Sequence, residues 1–309
     1  MVSSVTATAH QVASKALAWL HAHHERGALP PGAASPDLAH PDSQYKPLGE
    51  HALAGSLVLR EAVSGTAEQR MARELVDFAW GQFRGGDLLY ERTLRHTLIT
   101  DALELYGPFV RVGHRHGAFE QLLRHTTALA SLRAAEMPPN RRLAVANAAR
   151  LVGVDDGADW SALIRRTWLG GCPEPWAIDW MTAYHVTHAV FHITDWGARP
   201  GDLPPDIGRY LANWLPVWAD VWAEAEQWDL FCELLIVGAC LEEPWCDPGA
   251  WAALAAVQHG DGLVPRDGEP VDDDPGQRFL DHQHPVIVAA VAGCLTVSRT
   301  LDGTRARTA

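Results

Sequence analysis

Three stretches of this sequence concentrate side chains able to move protons, and their spacing is helical. The first is Tyr184-His185-Val-Thr-His188-Ala-Val-Phe-His192-Ile-Thr-Asp195. His185, His188, His192 and Asp195 recur at i, i+3, i+7 and i+10, which places them on one face of a helix that Gly197 would end. Such a stripe suits acid–base work at the mouth of a cavity. It also suits metal ligation, although the HExxH spacing is missing and no Cys lies nearby. The plain alternative is a set of core histidines bonded to backbone carbonyls. The second stretch, Trp228-Asp229-Leu-Phe-Cys-Glu233-Leu-Leu, sets two carboxylates one turn apart at the front of an apolar run. A Glu among Phe, Cys and Leu is costly unless it is paired or protonated, and two such acids tend to split their titrations. The third is Asp281-His282-Gln-His284-Pro285, where His284 precedes a proline expected in the first turn of the last apolar helix.

These groups define the expected site: His188, Asp195, Asp229, Glu233 and His284 as proton-transfer residues, with Tyr184, His185, His192, Trp228 and His96 contacting substrate. His96 joins them from a separate helix expected over Glu91 to Tyr106. Arg111, His114, Arg115 and His116 make a basic turn that suits an anion, although a solvated loop is the plainer reading. Tryptophan is abundant, 13 residues in all, mostly in the second half. Indoles beside buried acids describe an apolar, acidic, Trp-lined cavity suited to a cationic, amine-bearing small molecule. The expected chemistry needs no cofactor and no metal. Asp272-Asp-Asp274 has the letters of an aspartate-rich metal motif, but it precedes Pro-Gly in a loop and lacks a second metal motif.

The elements that would position these residues are helices. Alternating β-branched runs with hairpin turns are absent, and about twelve helical patterns follow one another with short connections. The chain reads as one all-α domain over residues 1–309, with irregular loops near 27–46 and 260–280. Gln258, then Asp261-Gly262 after a helix, resembles the inter-helix turns of α/α-toroid enzymes, which implies a toroid of antiparallel helix pairs. The composition, 47% hydrophobic with a net charge of −13, sets nucleic acid aside for want of a basic stripe. A membrane is set aside as well, because no apolar run of about 18 residues is evident. Five cysteines without a CxxC pair are expected to be reduced thiols in a cytoplasmic protein. A homodimer is an option for assembly.

Tyr184 to Gly197, Trp228 to Leu235 and His284 before a small-residue helix together resemble a set of actinobacterial α/α proteins found beside natural-product pathways. Among enzymes of similar size they are similar to the cyclases that form aziridine-containing azabicycles in azinomycin-like biosynthesis. That resemblance covers the second half of the chain. It implies a cofactor-free ring closure in which an amine displaces an activated leaving group such as sulfate. Two other classes remain open on the residues alone. One is a metal-dependent hydrolase, lyase or oxygenase built on His185, His188 and His192; the other is a non-catalytic α/α binding or scaffold protein.

Overall fold

The structure is a computed structural model that describes residues 4–30, 45–154 and 157–308. Most of the irregular stretch at 27–46 therefore lies outside the described residues. Within them the chain is all-α, with fourteen α-helices and no strand. In order these are α1 (Ser4–His23), α2 (Lys46–Glu61), α3 (Thr66–Gln82), α4 (Asp87–Arg95), α5 (Asp101–Arg111), α6 (Gly117–Thr127) and α7 (Ala130–Ala134). There follow α8 (Pro139–Val152), α9 (Trp160–Arg166), α10 (Trp180–Thr194), α11 (Pro205–Glu224), α12 (Trp228–Cys240), α13 (Pro248–Val257) and α14 (Pro275–Thr308).

Local chemistry sets several of the boundaries. Asp159, Asp179 and Asp247 each accept the backbone N–H three residues on, capping α9, α10 and α13. The helix expected over Glu91 to Tyr106 is broken: α4 ends at Arg95, His96 leaves helical geometry, and α5 begins at Asp101. The turn folds back because buried Arg92 grips the Asp101 carboxylate from the preceding helix. The last helix also departs from expectation. It starts at Pro275, where Asp274 caps the N–H groups of Gly276 and Gln277, and it runs straight through Pro285. His284 is thus a mid-helix residue. Between Pro275 and Gly303 this helix is long and apolar enough to cross a membrane, unlike the sequence expectation. Here it packs against α1, α2 and α12. Gly293 permits the closest of these approaches, since a Cβ there would meet the Ala9 carbonyl oxygen at 2.5 Å.

Six helices position the site, and each packs on the next: α2 on α5, α5 on α8, α8 on α10, α10 on α12, α12 on α14, and α14 on α2. Residue pairings show that neighbours run parallel. Gly49 abuts Leu105 while Ser56 accepts from Arg111 at 3.2 Å. Glu104 meets Arg141 while Gly107 abuts Leu151. Asn140 donates to the His185 carbonyl, and Arg150, ten residues after Asn140, to the His192 and Ile193 carbonyls. Thr187 meets Glu233, and Gly197 meets Cys240. Glu233 meets His284, and the Leu241 carbonyl accepts from Arg299. The turn at Gln258–Gly262 is a packing device. Gln258 donates to the carbonyls of Val12 and Gly262, and Gly262, at φ 103°, lies so close to Lys15 that a Cβ would strike its carbonyl oxygen at 2.2 Å.

Candidate active site

The parallel helices turn the same ends toward one cavity of about 370 Å³, and all six contribute to its wall. Lys46, Asp101, Glu104 and Arg141 come from the first turns of their helices and stand toward solvent, with Arg141 half exposed. At the opposite end, Arg111 donates to Asp195 at 2.6 Å, and both side chains are nearly inaccessible. The cavity therefore has a polar mouth and a sealed floor.

Between them lies a layer of linked acids and imidazoles. Glu233 is 1% exposed on α12, which is buried along its whole length. One of its oxygens accepts from the Thr187 hydroxyl at 2.5 Å and stands 3.6 Å from Nδ1 of His188. The other stands 3.5 Å from Nε2 of His284. Nδ1 of His284 meets Glu50 at 3.0 Å. A single imidazole thus bridges two carboxylates. Burial opposes a charge on His284, yet the flanking Glu50 and Glu233 raise its pKa to about 10. Burial would also raise both carboxyls. The neighbouring imidazoles win, His284 at Glu50 and His188 with His284 at Glu233, and both acids are held below their ordinary range. At neutral pH the layer holds two carboxylates around an imidazolium.

His188 occupies the accessible side of this layer. Its Nδ1 is 2.8 Å from the Tyr184 carbonyl oxygen, which only accepts, so Nδ1 carries the hydrogen. Nε2 has no hydrogen-bond partner among the described residues, and 41% of the side chain is exposed. One turn deeper, His192 also lines the wall; burial first, then the charges of His188 and Arg141, hold it well below the usual histidine range.

Of the residues expected from sequence, the structure brings His188, His192, Glu233 and His284 to the cavity. Asp195 is displaced from the stripe because α10 ends at Thr194. Asp195, Trp196 and Gly197 take φ of 47°, 54° and 78°, and Asp195 swings down to the floor to neutralise Arg111. Arg60 holds this left-handed segment by donating to the Asp195 and Trp196 carbonyls at 2.8 and 2.6 Å. Asp229 sits one turn before Glu233 but is outside the wall; the Tyr184 hydroxyl and the Leu230 N–H occupy its oxygens, and burial raises its pKa. Tyr184 is spent on that contact. His185 is exposed, since the first turns of α10 project past the packed part of the helix together with exposed Trp180 and Met181. Trp228 packs edge-on against Phe231, and His96 lies at the α4–α5 break; neither lines the cavity.

The basic turn is also dispersed. His114 pairs with Asp77 and Arg115 with Glu120, while His116 caps α6 and meets Asp87, so no common anion site forms. Trp196, stacked on Phe191, is the one indole on the wall among the described residues. The other tryptophans lie elsewhere, some packed between helices and Trp176 and Trp180 exposed, so the cavity is not Trp-lined. Its wall is balanced in charge rather than acidic: Glu50, Asp101, Glu104 and Glu233 face Lys46, Arg111, Arg141 and the His284 imidazolium. Among the described residues, no three His, Cys, Asp or Glu side chains are grouped to hold a metal ion.

A family profile described as a domain of unknown function, DUF6895, matches residues 13–294. The chain belongs to the DUF6895 family. No curated protein and no solved structure matches it. Every cavity residue of this DUF6895 chain, from Tyr45 to Val291, falls inside the matched span. Glu50 is the site residue that the sequence reading missed. Its signal was the one that identified Glu233, an acid set in an apolar helical run, here Leu48-Gly-Glu50-His-Ala-Leu53.

Proposed function

We propose that the cavity is the active site of a cofactor-independent acid–base enzyme that closes a ring on an amine-bearing small molecule. The observation behind this reading is the state of His188. Its Nδ1–H is committed to a carbonyl, its Nε2 is open to the cavity, and a buried carboxylate stands behind it. That is the arrangement of a general base whose protonated form is stabilised in place. Glu233 supplies the stabilising charge, and the His284 imidazolium keeps Glu233 ionised. The layer as a whole is negative, two carboxylates against one imidazolium, which favours an ammonium over a carboxylate ligand.

In the proposed step, Nε2 of His188 removes a proton from the substrate ammonium. The freed nitrogen lone pair attacks a carbon bearing a sulfate ester. A C–N bond forms as the C–O bond breaks, and sulfate departs with the bonding electrons. The wall holds the chain folded, which makes the attack intramolecular.

We also infer that the scaffold is an α/α toroid. The packing order that leads from α2 through α5, α8, α10 and α12 to α14 and back to α2 supports it, as does the second set of helices packed on these: α3 on α2, α4 on α5, α9 on α8, α11 on α12 and α1 on α14.

The test is sulfate release from β- and γ-aminoalkyl sulfates, followed by ion chromatography. Faster release with the wild-type protein, reduced at least 100-fold in His188→Gln, is the expected outcome. No acceleration across the panel would overturn the reading.

A further inference from the structure

The acid–base layer does not sit at the bottom of the cavity. Helix rise places the Arg111 floor about 10 Å below the level of Glu104, since two turns of α5 separate them. The wall of that interval is mainly apolar, with Leu53, Pro108, Ala148, Ile287, Val288 and Trp196, beside the Asn147 amide that is paired with Asp195 and Arg150. On α8 the cavity is lined by the small side chains of Ala144 and Ala148, and Ala148 is the deeper of the two. The one titratable side chain projecting into this stretch, His192, is kept neutral by its surroundings. Arg111 at the bottom is already neutralised by Asp195 and also bonded to Ser56. A charged group would lose water there and meet only the neutral His192 ring, the Asn147 amide already paired with Asp195 and Arg150, and the neutralised Arg111.

We infer that the substrate is an amphiphilic amine: its apolar portion enters first and fills the compartment between the acid–base layer and the Arg111 floor, while its ammonium stops beside His188 and Glu233. Ala148 is then the residue that sets how long that apolar portion can be. This inference rests on the acid–base reading of the same layer, but its consequences are in binding and do not require turnover.

The experiment is calorimetric titration of the whole protein with primary n-alkylamines from ethylamine to octylamine, and with carboxylates of matching length. Amines are expected to tighten about fourfold per methylene until the compartment is filled, following the transfer free energy of a buried CH₂. Matching carboxylates are expected to bind at least tenfold more weakly. Ala148→Leu should end the gain at a shorter chain while leaving ethylamine unchanged; Val291→Phe, on the α14 side of the floor, serves as the second variant if the first does not fold. His188→Gln should keep the chain-length dependence, so a failed acid–base step and a failed compartment give different results. Amine affinity independent of chain length, no amine binding, or equal binding of carboxylates would overturn the inference. So would a uniform loss across all chain lengths in Ala148→Leu.

Discussion

His284 shows how a residue can be placed in the interior as a cation. With Glu50 on one nitrogen and Glu233 on the other, its pKa of about 10 lies above the ordinary 6.5. A raised pKa means that protonation favours the folded chain. Its contribution is complete below pH 6.5 and is lost as pH rises through about 10. His51 acts in the opposite sense. It is fully buried, neither ring nitrogen has a partner among the described residues, and burial lowers its pKa to about 4. Its contribution is present above pH 6.5 and is lost as pH falls toward 4. The thermal midpoint followed by circular dichroism should therefore peak near neutrality, and His284→Gln should flatten the alkaline limb while also changing the acid limb, because Glu50 and Glu233 lose the cation that holds them ionised. An alkaline limb unchanged in that variant would contradict the bridge. At this scale the sequence was informative where a polar residue interrupts an apolar helix, as Glu233 does, whereas His284 was singled out for a helix-start position that it does not hold. It misled where the partner is remote. Nothing near Asp229 indicates that the Tyr184 hydroxyl occupies it, and nothing near Asp195 indicates Arg111.

Helices decide which of these residues meet. The i, i+3, i+7 spacing on α10 was legible, and it correctly paired His188 with His192. The i+10 position was not, because the helix stops at Thr194 and hands the next three residues to left-handed geometry. The α4–α5 break was equally hidden, since Thr97 to Thr100 contains neither Pro nor Gly and the fold-back depends on the Arg92–Asp101 contact. Pro285 misled in the other direction; a proline read as a helix start lies inside a helix whose true cap is Asp274. Helix α10 depends at its own start on the Asp179 carboxylate, which accepts from Thr182 at 2.7 Å. Asp179→Ala should cost about 1 kcal/mol in urea unfolding and speed amide exchange in the first turn of α10. The equivalent change at Asp247 should cost a similar amount and leave α10 exchange unaltered. Equal exchange in both variants would mean that the cap does not hold the helix.

The whole molecule ties its ends together. Helix α14 packs on α1, α2 and α12, so the last long helix completes the surroundings of both the first helix and the site. Removing it would strip the buried faces of three others. Unfolding in urea is therefore expected to be one transition, with far-UV circular dichroism and tryptophan fluorescence superimposing. Separated midpoints would show that the two halves fold as independent units. The all-α class was plain from the absence of strand patterns, but the parallel order of six helices was not, because it resides in contacts between residues far apart in sequence.

That shared direction has an electrical consequence. Each helix has a positive pole at its N-terminus and a negative one at its C-terminus, worth about half an elementary charge apiece. Five of them, α2, α5, α8, α10 and α12, have their N-termini toward the mouth and their C-termini toward the floor, while α14 runs on past the floor to Thr308. The resulting potential gradient runs along the cavity axis, in a region that solvent ions screen poorly. Such a gradient would draw a cation inward and push an anion outward. Along the cavity this bias favours positive over negative charge at depth through backbone geometry, independently of the chain's overall negative charge.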